Sequence, residues 1–373
     1  MPNRNSQNIT LGISSTTPEE IERRFKKILQ DKDSVESVEH LLSECLFDTN
    51  FISPYLKAIF YKHHEKMEES AKHMDSAIFM LKAGHLDSVM LNGTISTDSE
   101  LYNMIYVPFI KKLWGQAGEI YSNVNRLGDA VEAYKKYQMH HFCIKGDNIS
   151  NGLYSFRRIN IHTINDLIGD TITVSNPHTM NDPYDTLLLS WGNYHKENKQ
   201  NRKHIDPYVK SMEHFRIRSF TKVDSSILSN VLMWSHYADE HKGMCVEYYF
   251  SEDFEKTTDS HICRFRNIIY RTPENTIALN DDAINTDLSL LTKLDSWKYE
   301  NEVRLISYMP NQEEKYVSIQ LDSQSYVKNI YFGMRCPSCD IKLITKIMEG
   351  KNVNFYQLQP DYNDIFHPKI IEL

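Results

Sequence analysis

The chain has 373 residues, of which 40% are hydrophobic and 25% are charged, a composition typical of folded globular proteins. At roughly 150 residues per domain, this length predicts two domains. The 42 lysines and arginines against 50 aspartates and glutamates give a net charge of −8, which excludes a general basic surface for nucleic acid or anionic lipid.

The sequence also argues against a membrane or secretory role. No apolar run approaches the ~20 residues that span a bilayer, and residues 1–17 lack the pattern of a secretory signal. The six cysteines are sparse for this length and give no disulfide framework. We therefore expect a cytoplasmic protein without a membrane partner.

The first part of the chain has the pattern of helices. Residues 1–17 are predicted to be a disordered tail and residues 18–148 a helical module. Thr17 to Glu20 is a typical helix start, with a capping hydroxyl, a proline in the first turn and two acids near the positive end of the dipole. Apolar residues then follow helical spacing through 21–29 and 55–83.

Residues 111–142 resemble one tetratricopeptide repeat. The residues at its characteristic offsets are Trp114, Gly118, Tyr121, Ala130 and Tyr134. The small residues let two antiparallel helices approach closely, and the aromatic side chains fill the gaps around them. An ordinary helical hairpin would explain the same spacing, since only one copy is clear. In either case we predict a sensor or docking module that binds a protein partner.

After residue 151 the pattern changes to short runs rich in β-branched and aromatic residues. The predicted strands are 153–156, 171–174, 215–220, 245–250, 268–270, 302–308, 316–321, 327–332 and 354–358, with helices at 162–168, 225–237, 287–293 and 340–348. Strands with only occasional helices predict an α+β domain over residues 151–373, with a mixed, largely antiparallel sheet. The chain has no glycine-rich dinucleotide or phosphate-loop motif.

Four polar segments stand out in this second part. They are Leu153 to Arg158, Thr173 to Asp185 with its Asn181-Asp182-Pro183 turn, Met233 to Gly243 with Trp234-Ser235-His236-Tyr237, and Trp297 to Leu305 with Glu300, Glu302 and Arg304. Together, in this order, they resemble the bacterial family catalogued as domain of unknown function 2971, over about residues 151–335. That family name carries no function, so the chemistry has to be argued from the residues.

The last segment concentrates charge. On a strand, Glu300, Glu302 and Arg304 would lie on one face. Two carboxylates about 7 Å apart repel each other unless cations or hydrogen-bond donors neutralise them. Arg304 is one expected neutraliser, and Arg157 or Arg158 from the first strand is another. A structural ladder of ion pairs would explain the same residues without catalysis.

The same set is similar to the active-site arrangement of ADP-ribosyltransferases, which bind NAD without a Rossmann fold, in a cleft of a small mixed sheet. The likeness rests on the two late glutamates, on Thr173 and Ser175, and on an arginine or tyrosine in the first strand. It implies an ADP-ribosyltransferase-like fold and NAD-dependent transfer of ADP-ribose, or hydrolysis of NAD. Joined to a helical sensor, this would suit a bacterial toxin or antiphage effector.

The resemblance also assigns roles. Glu302 would stabilise the oxocarbenium-like ribosyl cation in the transition state, and Glu300 would orient the nucleophile or take its proton. Ser175 would orient the carboxylate by a hydrogen bond. Arg157 or Arg158 would hold pyrophosphate through a bidentate contact. The other residues expected around NAD are Tyr154 and Tyr237, either of which could stack on nicotinamide, and Asn181, Asp182, His236 and Arg304.

No metal site is predicted. Cys336 and Cys339 have the spacing of a zinc-binding pair, but a structural zinc site needs four ligands and the other cysteines are distant. His236 and His241 have no third ligand at a suitable spacing, so we expect His236 to orient a carboxylate or to cap a helix end. Asn181 precedes the proline turn, which is predicted to wall the cleft.

Two alternatives remain open. The cleft could belong to a non-catalytic regulatory protein that binds a nucleotide or a peptide. It could also belong to a nuclease that holds Mg²⁺ on Asp182, Asp185 and Glu302. For a nucleic acid target, the basic segment Lys196 to Lys210 would be the natural place for phosphate contacts.

Overall fold

The computed structural model describes the chain in two compact units, one of helices up to Ala133 and one from Tyr134 to Leu373. The description omits residues 1–17, 31–34, 44–50, 84–99, 143–146, 148, 150–151, 181, 183–184, 186–201, 223, 225, 256, 259–260, 273–289, 310–311 and 365–366. The predicted tail therefore lies outside the described residues. None of the described helices has both the length and the apolar character that crossing a membrane requires.

The first unit consists of helices. They are α1 (Pro18–Gln30), α2 (Val35–Ser43), α3 (Ile52–His63), α4 (Met67–Ala83), α5 (Glu100–Asn123) and the beginning of α6 (Leu127–Phe142). Leu56, Met74, Leu113 and Ile120 are among its buried side chains. The boundary to the second unit falls inside α6, earlier in the chain than the predicted start at residue 151.

Two turns of this unit, α3–α4 and α5–α6, have the same construction. Each contains a residue with left-handed backbone, Glu65 (φ 60°) or Asn125 (φ 61°). The next residue, Lys66 or Arg126, donates its backbone N–H to the carbonyl of a tyrosine in the preceding helix, at 2.9 and 2.8 Å. Its side chain also lies over the ring of that tyrosine. The hairpin thus occurs twice, while its assignment as a tetratricopeptide repeat stays a prediction.

The second unit is built on a large sheet. Among the described residues its strands are β1 (Gly152–Arg157), β2 (Thr171–Ser175), β3 (Phe215–Lys222), β4 (Met244–Tyr249), β5 (Thr257–Thr258), β6 (His261–Asn267), β7 (Ile269–Arg271), β8 (Thr292–Leu294), β9 (Glu302–Tyr308), β10 (Tyr316–Gln320), β11 (Tyr326–Phe332), β12 (Asn354–Gln359) and β13 (Lys369–Glu372). Its helices are α7 (Ile161–Gly169), α8 (Arg202–Met212), α9 (Val231–Tyr237) and α10 (Ser338–Ile347).

Eleven of these strands form one sheet in the order β13-β12-β11-β4-β1-β3-β9-β6-β5, with β2 paired to β3 and β10. The β11–β12 pair is parallel, and the other described pairs of this sheet are antiparallel. Strands β7 and β8 form a separate parallel pair. The prediction of an α+β domain with a largely antiparallel sheet is confirmed.

Apolar side chains are buried on both faces of the sheet. On the first face, Leu153 and Leu305 lie in one core with residues of α7 and α10. On the second face, Ile306 lies in a core with residues of α8, and Phe156 packs edge-to-face on Trp234 of α9, with ring centres 5.1 Å apart. Because both faces are covered, several strands lack the alternation that identifies a strand in sequence.

Strand β6 and the end of the helix predicted at 287–293 are two of the elements that differ from prediction. Strand β6 was not predicted, since its Ile262 and Phe265 both lie in apolar cores although they belong to opposite faces. The helix predicted at 287–293 is wrong at its end, where residues 292–294 form β8. Its leucine-rich composition favours a helix, but pairing with β7 decides the structure there.

Strands β1 and β3 separate along their length. Their described ladder consists of two pairs, Leu153 with Lys222 and Tyr154 with Thr221. Further along, β3 pairs instead with β2, through Ile217 and Ser175. Beyond the two pairs the described backbone ladder between β1 and β3 ends, and the strands are joined there by the Arg218 guanidinium, which donates to Ser155 Oγ at 2.7 Å.

Candidate functional site

A cavity of about 80 Å³ lies at the separation of β1 and β3. Its wall includes Tyr154, Phe156, Ser219, Tyr237, Glu300 and Glu302. Direct pairing of Tyr154 with Thr221, and of Thr221 with Glu302, places these side chains on one face of the sheet. The cavity thus collects residues from β1, β3, α9 and the start of β9.

The two glutamates reach the cavity from different elements. Glu302 is the first residue of β9, whereas Glu300 ends a short 3₁₀ helix, Asp295–Glu300. Asn301 between them has a left-handed backbone with φ 45°. The expectation that Glu300 shares a strand face with Glu302 is wrong, because the chain turns at Asn301. The two carboxylates nevertheless meet, since the same cation binds both.

That cation is Lys293, which sequence reasoning missed. Its Nζ lies 2.6 Å from Glu300 Oε2 and 3.1 Å from Glu302 Oε2. It lies in β8 and is 6% exposed, and lysine is rarely buried to this degree unless it is paired. The signal that could have found it is a single lysine inside the leucine-rich run from Leu288 to Leu294.

Arg304 holds Glu302 from the other side. Its Nε donates to Glu302 Oε1 at 2.8 Å, its Nη2 to Asp185 Oδ2 at 2.7 Å, and its Nη1 to the carbonyl of Leu290 at 2.7 Å. The side chain is fully buried. Arg304, expected among the nucleotide-binding residues, therefore has its donors engaged within the protein and positions the carboxylate of Glu302.

Hydroxyl groups complete the contacts of the two glutamates. Ser219 Oγ donates to Glu302 Oε1 at 2.5 Å, and the Tyr237 hydroxyl donates to Glu300 Oε1. Ser219 thus has the orienting contact that was predicted for Ser175. Ser175 pairs with Ile217, four residues along β3 from the partner of Glu302, which corresponds to roughly 13 Å.

Arg157 does not lie with the glutamates. Its Nη1 is 2.6 Å from Asp166 Oδ2 of α7, and both side chains are buried. Because side chains alternate along a strand, Arg157 and Tyr154 of β1 point to opposite faces. The predicted cleft shared by Arg157, Ser175 and Glu302 is therefore wrong. Arg158 is exposed, and its Nε lies 3.9 Å from Asp239.

The remaining predicted residues are spread around the cavity. Asn181 lies outside the described residues, and Asp182 forms a turn in which its carbonyl accepts from the backbone N–H of Asp185 at 3.0 Å. Met180, just before that turn, does line the cavity. His236 lies on the surface, with Nδ1 3.0 Å from the hydroxyl of Tyr299.

Helix α9 ends in a turn with unusual backbone. Asp239, Glu240 and His241 have φ of 49°, 54° and 69°, a conformation that costs most residues of order 1 kcal/mol or more each. Gly243 follows, and a Cβ there would lie 2.2 Å from the carbonyl oxygen of Arg157. This close approach binds the end of α9 to β1 and so helps to place Tyr237 in the cavity wall.

Among the described residues, no group of three or more histidine, cysteine, aspartate or glutamate side chains is arranged to hold a metal. Cys336 and Cys339 are free thiols, one buried and one exposed. Residues 196–201 of the basic segment lie outside the described part of the chain, and the rest of that segment belongs to α8.

The two carboxyl groups have pKa values displaced in opposite directions. Burial raises the pKa of Glu300 by more than Lys293 and Tyr237 lower it, and the charge of the neighbouring Glu302 adds a smaller rise. Burial also acts to raise the pKa of Glu302, but Arg304 and Lys293 outweigh it and lower the value to about 2. Glu302 is therefore ionised at neutral pH, whereas Glu300 holds its proton more readily. Such pairs are typical of acid–base sites.

A comparison with protein-family models links this cluster to a known family. Residues 233–305 match the model described as a protein of unknown function, DUF2971. This segment resembles DUF2971. The resemblance expected over 151–335 is confirmed for these residues. The DUF2971-like segment contains Tyr237, Lys293, Glu300, Glu302 and Arg304. Searches of curated proteins and of solved structures gave no match.

Opposite pKa displacements predict opposite effects on stability. Glu300→Gln is expected to leave the free energy of unfolding at pH 8 unchanged or to raise it. A carboxyl whose folded pKa is raised above its unfolded value of 4.5 favours folding while protonated, and that stability is lost as pH rises through the folded pKa. The advantage of the variant should therefore grow from pH 5 to pH 8 in urea denaturation.

Glu302→Gln is the matched comparison for that experiment. Its carboxylate contributes stability above the unfolded pKa of 4.5, which is lost as pH falls toward the folded pKa of about 2. This variant should therefore be less stable than the parent at pH 8. If both variants lose the same free energy of unfolding at pH 8, the pKa of Glu300 is not raised in the folded protein.

Proposed function

We propose that the second unit cleaves the bond between nicotinamide and ribose in NAD and transfers ADP-ribose to an acceptor or to water. The observation that carries this proposal is the meeting of Glu300 and Glu302 on Lys293 at one cavity. The cavity lies where the ladder between β1 and β3 ends, so a ligand bound in it would not disrupt a strand ladder.

The chemistry follows from the charges. Breaking the bond from ribose C1′ to the pyridinium nitrogen leaves the electron pair on nicotinamide, which becomes neutral, and a positive charge on the ribosyl group. The ionised Glu302 stabilises that charge most in the transition state, where it is greatest. Ser219 and Arg304 hold its carboxylate in place, so little reorganisation is needed when the charge develops.

The second step needs a base. A hydroxyl, amine or water attacks C1′, forms the new bond and releases a proton. Glu300 is suited to accept that proton, because a raised pKa makes its carboxylate a stronger base. Tyr237 and Lys293 hold its two oxygens, and Tyr154 and Tyr237 offer aromatic surface to the nicotinamide ring.

The helical unit has a separate place in this proposal. It would bind a protein partner that triggers the activity, as in a bacterial toxin or an antiphage effector. The support is the repeated hairpin turn at Glu65 and Asn125, since stacked helical hairpins are a common surface for binding proteins.

A Mg²⁺-dependent nuclease is supported less well. Two of the three carboxylates it would use, Asp185 and Glu302, already bind Arg304 at 2.7 and 2.8 Å, and Lys293 is a second fixed cation beside them. A metal ion would have to compete with both cations. In a non-catalytic nucleotide-binding protein the same ion pairs would only hold the structure. Turnover of NAD distinguishes the proposed transferase from such a protein.

The test is incubation of the full chain with NAD labelled in nicotinamide, with and without cell extract as a source of trigger and acceptor. Release of free nicotinamide is the expected result. Binding of NAD without release would identify a regulatory nucleotide-binding protein. Cleavage of RNA or DNA that requires Mg²⁺ would identify a nuclease, and either outcome would overturn the proposal.

A further inference from the structure

Three aromatic side chains form a surface patch, the aromatic platform, from His236, Trp297 and Tyr299. Their ring centres lie 6.1 to 6.3 Å apart, and His236 Nδ1 is 3.0 Å from the Tyr299 hydroxyl. His236 is exposed, while the other two rings are half-buried. Tyr299 also packs against the buried cluster that contains Phe156 and Trp234, so the hydrogen bond and the mutual contacts hold the three rings in a fixed arrangement next to the core.

The aromatic platform begins where the cavity ends. Lys293 Nζ, which binds Glu300 at 2.6 Å, also lies 5.0 Å from the centre of the Trp297 ring. In addition, His236 and Tyr299 directly precede the cavity residues Tyr237 and Glu300 in the chain. One lysine side chain thus joins the ionic cluster of the cavity to the aromatic surface.

The size of the cavity shows that a dinucleotide must extend beyond it. Its volume is about 80 Å³, whereas sites that enclose drug-sized ligands have about 300 to 1,000 Å³. Only the reacting end of such a ligand could enter the cavity, and the rest would have to lie on the adjoining surface.

We propose that the aromatic platform binds the adenine base of the dinucleotide by stacking. This inference rests on the proposed use of NAD and adds the part of the protein that recognises the distal nucleotide. Every nucleobase has a π-face, and stacking on tryptophan or tyrosine is among the strongest contacts a surface ring offers to one. Trp297 carries most of the effect, and its ring is held by Tyr299, tilted 37° to it, and by His236, which meets it at 65°.

The test compares two ligands that differ in adenine. The parent and Trp297→Leu are titrated calorimetrically with NAD and with nicotinamide mononucleotide, which lacks the adenosine part. The variant should bind NAD about 10- to 100-fold more weakly and bind the mononucleotide as the parent does. Trp297→Phe should restore most of the affinity for NAD, because phenylalanine keeps a ring.

Tyr326→Leu is the matched control, since Tyr326 is 45% exposed and stacks on Tyr249 with ring centres 5.2 Å apart, outside the cavity wall. It should change neither affinity. An equal loss for both ligands in Trp297→Leu would mean that the indole acts through Lys293, and unchanged NAD affinity would mean that the platform does not bind adenine. Either result overturns this inference alone.

Two further outcomes are also decisive. Weaker ADP-ribosylation of a protein acceptor by Trp297→Leu, with NAD affinity unchanged, would show that the platform receives the acceptor instead of adenine. A parent protein that binds neither NAD nor the mononucleotide would overturn the proposed function, and the assignment of adenine with it.

Discussion

Glu302→Gln is expected to slow the release of nicotinamide from NAD about a thousandfold, which corresponds to about 4 kcal/mol of transition-state stabilisation. Glutamine keeps the shape and can still accept from Ser219, but it lacks the negative charge that opposes the ribosyl cation. The loss should appear in kcat more than in KM, because that charge matters most in the transition state. Release of labelled nicotinamide at saturating NAD measures it.

Glu247→Gln is the matched control for this experiment. Glu247 is also a buried glutamate on a strand of the same sheet, 4% exposed. It accepts from Asn329 and Tyr331 at 2.7 and 3.0 Å, but it does not line the cavity. Its variant should keep activity within a few-fold of the parent. If folded Glu302→Gln releases nicotinamide at the parent rate, Glu302 is not the catalytic carboxylate.

Arg304→Met is expected to lower the free energy of unfolding by about 3 to 5 kcal/mol. The guanidinium is fully buried between Glu302 and Asp185, at 2.8 and 2.7 Å. Removing it leaves the two carboxylates in the interior, where Lys293 is the other cation that the described part of the chain places beside them. Methionine fills similar space without a charge, so the loss reports electrostatics rather than a cavity. Urea denaturation at neutral pH gives the difference.

Lys346→Met is the control for that variant. Lys346 pairs with Glu349 on the surface, where both side chains are largely exposed, and exposed pairs contribute only about 0 to 1 kcal/mol. A second check combines Arg304→Met with Glu302→Gln, which should be less unstable than the sum of the single variants, because the two groups are in contact. A loss in Arg304→Met no larger than in Lys346→Met would contradict the assigned role of the arginine.

The sequence supports the class of the fold better than the details of the site. Runs such as Glu302 to Tyr308 combine β-branched and aromatic residues, which is sufficient to predict strands. Their pairing is not local, so the separation of β1 from β3 leaves no trace in either run. The same holds for Ser219, which reaches Glu302 only because β3 and β9 are neighbours.

The errors at the site have simple physical causes. Tyr154 lies on the same face of the sheet as Glu302. Arg157 is three residues further along the strand, and an odd separation places its side chain on the opposite face. The resemblance to ADP-ribosyltransferases therefore could not show that Arg157 lies away from Glu302. Nothing in Asn301 marks its left-handed backbone, so the pattern predicts a strand face that includes Glu300. The sequence does not identify Lys293, because a lysine next to leucines is typical of a solvated residue and its two glutamate partners come later in the chain.

Among the residues that the structure describes, the ionic cluster has more carboxyl groups than cations. Asp185, Glu300 and Glu302 supply three carboxyl groups, while Lys293 and Arg304 supply two cations. Burial raises the pKa of Glu300, which favours its protonated form. A ligand that brings its own positive charge, such as a pyridinium ring, would favour the ionised form and release any proton held there into the buffer. Its affinity should rise with pH, and the heat of binding should depend on the ionisation enthalpy of the buffer.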